Sequence, residues 1–410
     1  MAIITASDAG RIPGHVPPAH VLNMSLAEYV AQLDDPYTAA ARLFEGPDLM
    51  WSPRGFRGAP GWIAIGNALI EEIFLDPVTF KSGGMSGISE MLGVDWQLNP
   101  LEIDPPAHLG SRMVLQSLFT PSAVKRLEPM VRGVAEELIA SFEHNGGCEF
   151  IEEFASVFPS YIFLALVGLP RDLLPQFLEW ERGFMRGATI EEQISATKAI
   201  AAYLTSFLEE RSKQLARDDV TSAILTGAIK GRPLSHDEMI GMVMVLYLGG
   251  LDTVMSSLGW YMRYLANNPS LQARLHENPG DIPGAVEDLL RAFGVSGLGR
   301  TVTRDIVFHG VQMKAGETIQ LATQVASRDP REFERAGVVD PDRRQRTMTF
   351  GTGIHNCLGI HLAKREIRVV LELFISRFRN IRIPDGADVQ WHTDGSVWGV
   401  DRLPLVWERR

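Results

Sequence analysis

This sequence of 410 residues predicts a mainly α-helical fold, one large helical domain with small peripheral β-sheets, and three observations carry that prediction. Apolar residues recur at helical spacing through most of the chain, above all in a succession of amphipathic segments from 122 to 225. Strand signals are brief and scattered, at 62–65, 148–151, 306–309, 311–313, 318–321, 381–383 and 403–407. The steady alternation of strand and helix that builds a doubly wound sheet is absent.

No Gly/Ser linker, repeat or low-complexity block divides the chain, so residues 1–410 read as a single domain despite a length at which chains often split. A hydrophobic content of 45% and a charged content of 22% are those of a soluble globule. The longest nearly uncharged run, 239–251, is too short to span a bilayer and reads as a buried core helix. The first 18 residues show no basic segment followed by an apolar one, so neither secretion nor membrane anchoring is expected. Two cysteines argue against a disulfide framework, and a reducing cytoplasm fits. The net charge of −11 argues against a nucleic-acid partner.

In chain order, short helices are expected at 26–33 and 36–45, a strand at 62–65 and a helix at 68–74. Residues 82–99, with four glycines and weak periodicity, read as a long loop, a feature that is usually functional or disordered. Asp104-Pro105-Pro106 introduces the next helix, Pro being tolerated in a first turn. His108 and Arg112, four residues apart, share one face of it, either as a solvated polar face or as ligand contacts. Helices then follow at 122–143, 150–167, 173–184 and 191–216.

Residues 235–267 form the longest helical signal. Ser235-x-x-Glu238 is a capping box and Asn267-Asn268-Pro269 a stop, giving about 32 residues, or ~48 Å. Gly249 and Gly250 in its middle each cost about 1 kcal/mol relative to Ala, so a gain should offset them. Two residues without side chains let a flat cofactor or ligand approach, and a local opening there could admit water or dioxygen. Asp252 and Thr253 follow, an acid and an alcohol in an apolar stretch, where a buried carboxylate needs a reason. The alternative is that the glycines serve packing and Asp252 faces solvent.

A helix is expected over 283–293. The final helical run, 357–378, begins at Cys357 and follows the loop FGTGIHNCLG, residues 350–359. A cysteine at a helix N-terminus is biased toward thiolate, the metal-binding form. Gly351 and Gly353 can take positive φ and turn amides toward the sulfur, and Gly359 leaves room for a flat partner. A buried structural cysteine after a turn is the plainer alternative.

Phe350, Gly353, His355, Cys357 and Gly359 match Phe-x-x-Gly-x-His/Arg-x-Cys-x-Gly, and the sequence thereby resembles the cytochrome P450 family over nearly its whole length. Within that family it is most similar to the camphor-hydroxylating bacterial class, through GGLDTV, the Asp-Pro-Pro helix start, FHGVQ and LPLVW. The resemblance implies haem b with Cys357 as its proximal thiolate ligand, Phe350, Gly359, Gly249 and Gly250 against the cofactor, and His108, Arg112, Arg300 and His355 as propionate contacts. It implies Thr253 as the hydroxyl partner of dioxygen and Asp252 as the gate of a proton path, with Arg186 a candidate partner for Asp252. Where the family carries Glu-x-x-Arg this chain has Asp288-x-x-Arg291 preceded by Glu287, and either acid could pair with Arg291.

The implied activity is a monooxygenase reaction on a small hydrophobic substrate, with dioxygen and electrons from a [2Fe–2S] ferredoxin served by an NADH-dependent ferredoxin reductase; a monomer is expected. Arg112, Arg344, Lys364 and Arg365 are the candidates for a basic ferredoxin-docking patch. For the substrate pocket the resemblance points to Gly87, Trp96, Leu98, Leu101, Val245, Leu248 and Ser296. Trp96 stands where a ketone-binding tyrosine is found and Gly87 where a large aromatic is found, so a monocyclic terpenoid or norisoprenoid is expected to fit better than camphor. The rival readings are a haem-thiolate peroxygenase, which would not need the acid and alcohol, and a non-enzymatic haem sensor or carrier.

Overall fold

Helices form where the apolar spacing places them, and local side chains set their ends. Ser25 and Ser235 both close capping boxes, with Glu28 and Glu238, and Thr120, Thr189 and Asp219 accept first-turn amides of the helices that follow them. The computed structural model describes residues 12–393 and 396–409; residues 1–11, most of the stretch read for a leader, lie outside the described residues. It groups the chain into two compact units, each assembled from non-contiguous stretches.

The first unit comprises the chain up to Met85, Gly280–Cys357 and Trp391–Val400. Its sheet has the order Leu49–Ser52, Gly61–Ala64, Thr318–Leu321, Leu298–Val302, Phe80–Lys81. Only the Gly61–Ala64 and Thr318–Leu321 pair is parallel, and Arg300 stands opposite Ile319 in the register. One face packs Trp51, Trp62, Phe74, Phe80 and Ile319 into a single apolar cluster. The helix Ile282–Ala292 resolves the choice of acid. Arg291, 1% exposed, meets Asp288 at 2.5 Å and 3.1 Å, while Glu287 is exposed. The guanidinium also donates to the carbonyls of Ser327, Ala336 and Val338, and Asp288 accepts the Asp340 amide and lies 2.9 Å from Arg343. A buried pair satisfied this fully is costly to halve, about 3–5 kcal/mol, because the remaining charge loses its counter-ion.

The second unit comprises Ser86–Pro279, Leu358–Gln390 and Asp401–Arg410. It holds the helices Pro121–Phe142, Val157–Val167, Leu174–Arg186, Ile190–Ser212 and Ile360–Arg377, and a three-stranded sheet ordered Phe378–Arg382, Pro404–Arg409, Gly147–Glu149. Its apolar core is built around the segment His236–Gly250, whose Met242, Val243, Met244 and Tyr247 are fully buried. An 18-residue window within His236–Ala266 is apolar enough to cross a membrane, but 61% of it is buried inside the protein, as in a core helix.

Several expectations change in detail. The helix expected over 235–267 is two helices, His236–Gly250 and Asp252–Ala266, interrupted at Leu251. Residues 150–167 split into a π-helix, Ile151–Ala155, and an α-helix, Val157–Val167. The loop 82–99 contains a short helix, Ile88–Leu92. Pro105 and Pro106 lie in the turn before their helix, which begins at His108. The last long helix begins at Ile360 and not at Cys357, because residues 350–357 are closed into a loop of their own.

Candidate functional site

The cysteine loop belongs to the first unit. Gly351 (φ 63°) and Gly353 (φ 68°) take the left-handed conformation, and a short 3-10 turn, Gly353–His355, leads to the cysteine. The Cys357 amide donates to the Phe350 carbonyl at 2.9 Å, and the Asn356 side chain donates to the carbonyls of Phe350 and Gly351. These bonds hold a half-buried cysteine, in no disulfide, at the end of a closed turn. Behind it lies Phe74: a Cβ at Gly353 would stand 2.8 Å from its carbonyl oxygen, so that close approach needs glycine. The Phe74 ring lies under the buried Arg300 guanidinium at 5.3 Å, which relates Arg300 to the loop within this unit. Ser296 also lies in this unit, in a bridge to Val397.

The other cysteine differs in environment. Cys148 sits in the strand Gly147–Glu149, where burial first, then Glu153 and Glu149, push its thiol well above its ordinary range. It is held as the protonated thiol and is poorly suited to bind a metal.

The broken helix belongs to the second unit. At Leu251 the backbone leaves the helix (φ −96°, ψ −72°), and the Thr253 hydroxyl donates to the Gly249 carbonyl at 2.7 Å. A hydroxyl bonding four residues back is a known cause of helix bending, and it leaves the Thr253 oxygen with lone pairs to accept a further donor. Gly249 is exposed in the midst of a buried segment, and a Cβ at Gly249 or Gly250 would meet nothing within 4 Å. The two glycines therefore face open space.

Asp252, 2% exposed, lies beside Thr253 and is engaged by Arg186, as the sequence suggested. Arg186 Nη2 donates to Asp252 Oδ1 at 3.1 Å, and Arg186 Nε donates to Asp401 Oδ1 at 2.8 Å. A third carboxylate was not anticipated: Glu181, 7% exposed, stands 3.9 Å from Arg186 Nη1. Burial, reinforced by Asp252, pushes the Glu181 carboxyl up to about 7 against the pull of Arg186 and Arg182. Its signal in the sequence was positional, since Leu174, Phe177 and Glu181 form the buried stripe of their helix.

His108 is buried on the helix His108–Gln116 and Arg112 is half-buried. Burial, then Arg112, lower the His108 pKa, which favours the neutral imidazole, while Asp104 opposes them. Of the pocket candidates, the second unit gathers Leu98, Trp96, Val245 and Leu248 around one apolar cluster. Gly87 (φ 66°) caps the short helix Ile88–Leu92, and Leu101 is 37% exposed and stands apart from that cluster. The loop carrying them is tied by a buried carboxylate the sequence did not reveal. Glu102, 3% exposed, accepts the amides of Ser86 at 2.6 Å and Leu98 at 3.0 Å, joining the two ends of the 86–98 segment. Gly241 lets the same loop pack on the helix, since a Cβ there would lie 2.1 Å from the Gln97 carbonyl oxygen.

The family model for cytochrome P450 matches residues 172–393. A probable cytochrome P450 127A1 of Sinorhizobium fredii is 33% identical over 97% of this chain and 97% of its own. The mycinamicin IV hydroxylase/epoxidase of Micromonospora griseorubida is 30% identical over 75% of this chain and 79% of its own. The crystal structures of cytochrome P450 CYP101C1 and of CYP101J2 superpose with TM-scores of 0.87 each, at 30% and 29% identity, over 97% of this chain and all of theirs. The chain belongs to the cytochrome P450 family, whose members are haem b monooxygenases. The residues present suit that cofactor: a half-buried cysteine that forms no disulfide, in a closed loop, and a glycine pair facing open space.

Proposed function

We propose that this monooxygenase hydroxylates a small, largely hydrocarbon substrate of the monocyclic terpenoid or norisoprenoid kind, drawing electrons from a [2Fe–2S] ferredoxin served by an NADH-dependent reductase. A monomeric cytoplasmic enzyme belongs to the same reading. The observation that carries it is the helix break, where Thr253 bonds Gly249 and the buried Asp252 is held by Arg186. That placement of an acid and an alcohol supports dioxygen-dependent chemistry over a peroxygenase, which takes its oxygen from hydrogen peroxide and needs no proton delivery.

In this reading Cys357 is the thiolate ligand of the haem iron, with Phe350 and Gly359 beside it and His108, Arg112, Arg300 and His355 toward the propionates. Gly249 and Gly250 leave the helix face bare for the cofactor. When bound, haem b supplies the oxygen chemistry itself, cleaving dioxygen and placing one atom in a C–H bond. Thr253 accepts a hydrogen bond at the reacting end, and Asp252 passes protons inward from the Arg186 cluster. Trp96, Leu98, Val245 and Leu248 offer an apolar wall with one indole N–H donor, which suits a hydrocarbon ring with a single oxygen. The mycinamicin relative is named for hydroxylation and epoxidation, which agrees with the reaction class.

The test is a substrate panel scored by the ferric spin-state shift, followed by NADH-driven turnover with ferredoxin and reductase. Ionones and monocyclic monoterpenoids should shift the spin state more than camphor and yield ring-hydroxylated products. A full shift with camphor and none with the others would overturn the substrate assignment.

A further inference from the structure

The Arg186 guanidinium stands among three acids. Asp252, Glu181 and Asp401 all face it, and the two deepest of these acids, Asp252 and Glu181, each have one buried oxygen, Asp252 Oδ2 and Glu181 Oε1, that makes no hydrogen bond to the described residues. A buried carboxylate oxygen without a donor is expensive unless the group carries a proton. From this geometry we propose that Glu181 is the proton reserve for Asp252, a positioning residue that acts through Asp252 and shares the Arg186 guanidinium with it. The proposal rests on the reading of Asp252 as the proton gate.

The groups that act on Glu181 are few. Arg182 and Arg186 come from its own helix, Asp252 and Tyr247 from the two halves of the broken helix, and Asp401 reaches it through Arg186. Among the described residues, the helices Val157–Val167 and Ile190–Ser212 that pack on Leu174–Arg186 add no charged group to this set. Burial and Asp252 favour the protonated form of Glu181, in accord with the proposal.

The step conserves atoms and charge. The O–H bond of Glu181 breaks, an O–H bond forms at Asp252 Oδ2, and Glu181 is left as a carboxylate facing Arg186 Nη1 at 3.9 Å. Asp252 then gives its proton onward. Water reaching the partly exposed side chains of Arg186 and Asp401, 24% and 31% exposed, returns a proton to Glu181.

Glu181→Gln keeps the shape and removes the titrating proton. In the holoenzyme, coupled turnover should fall as pH rises through about 7, where Glu181 loses its proton; the variant should turn over about tenfold more slowly without that descending limb. Independently of activity, the infrared band of a protonated carboxyl should fade over the same range in wild type and be missing from Glu181→Gln. Glu366, also held protonated by burial, is separated by recording the same spectra in Glu366→Gln. A limb and a band that both persist in Glu181→Gln overturn the proposal. Should that variant not fold, the Glu366→Gln background decides alone, since the absence of any carboxyl band fading near pH 7 also overturns it. An Asp252→Asn enzyme that turns over normally instead removes the gate on which the proposal depends, whereas a slow Asp252→Asn enzyme beside an unaltered Glu181→Gln enzyme overturns the reserve alone.

Discussion

Arg186 and Asp252 meet at 3.1 Å across 66 residues of sequence, and the same guanidinium holds Asp401 at 2.8 Å. The acid at the helix break is thus anchored by its Oδ1, while its buried Oδ2 meets no hydrogen-bond partner among the described residues. Asp252→Asn should slow coupled turnover on the order of 10²-fold with little change in substrate binding, since an amide cannot relay a proton. Thr253→Ala should bind substrate normally but divert NADH equivalents into hydrogen peroxide, having lost the hydroxyl at the reacting end. Product formed per NADH consumed separates the two, and tight coupling in Thr253→Ala would refute its assignment.

Cys357→Ala should abolish the carbon-monoxide difference band of a reduced haem-thiolate protein, and Cys148→Ala should leave it intact. The strand environment that holds the Cys148 thiol protonated is the physical reason for the contrast. Loss of the band in Cys148→Ala with retention in Cys357→Ala would reverse the ligand assignment.

Glu366 makes stability depend on pH. It is fully buried on the helix Ile360–Arg377, and burial pushes its carboxyl up to about 8 from an ordinary 4.5. Between those values the unfolded chain loses the proton that the folded protein keeps, so folding stability falls as pH rises through that window and is flat above it. The whole effect is at most roughly 4–5 kcal/mol. Glu366→Gln should remove the slope, gaining stability relative to wild type at about pH 8 compared with about pH 5 in denaturant titrations. Parallel pH profiles for the two proteins would show that Glu366 ionises freely.

Glu102 ties the loop that carries Trp96 and Leu98. Glu102→Ala strands the buried amides of Ser86 and Leu98 and should cost about 1–3 kcal/mol per unsatisfied group. Hydrogen exchange should accelerate in residues 86–98, and the substrate dissociation constant should rise while the carbon-monoxide band is unchanged. Unaltered exchange across that segment would show that the loop is held by its apolar contacts alone.

Ferredoxin docking by charge predicts a reduction rate that falls with ionic strength. The candidate residues are not equivalent: Arg365 is paired with Glu128 at 2.6 Å, whereas Arg344 is exposed. Arg344→Glu should therefore slow reduction by the ferredoxin more than Arg365→Gln does. Stopped-flow rates that are flat in salt and indifferent to Arg344→Glu would contradict a basic docking surface.

What could be read from the sequence was local. The Cys357 loop, the Ser235–Glu238 capping box, the Gly249-Gly250 pair and the Asp252-Thr253 pair each depend on residues within a few positions of one another, and backbone sterics and helix periodicity act at that range, although the break at Leu251 that makes two helices of the expected one was not legible. The exact starts of helices were less legible: the Phe350 carbonyl claims the Cys357 amide, and the helix expected to begin at Cys357 begins at Ile360.

Apart from the Arg186–Asp252 pair, which the family resemblance anticipated, only the tertiary structure decided which partners buried charges found. Asp288, not Glu287, faces Arg291 because it points into the first unit's core while its neighbour points out. Asp401 reaches Arg186 from 215 residues away, Glu181 reaches it across its own helix, and Glu102 gathers amides from both ends of a loop. A carboxylate taken out of water must find a donor wherever the fold supplies one, and periodicity shows that such a residue is buried without showing what it will meet.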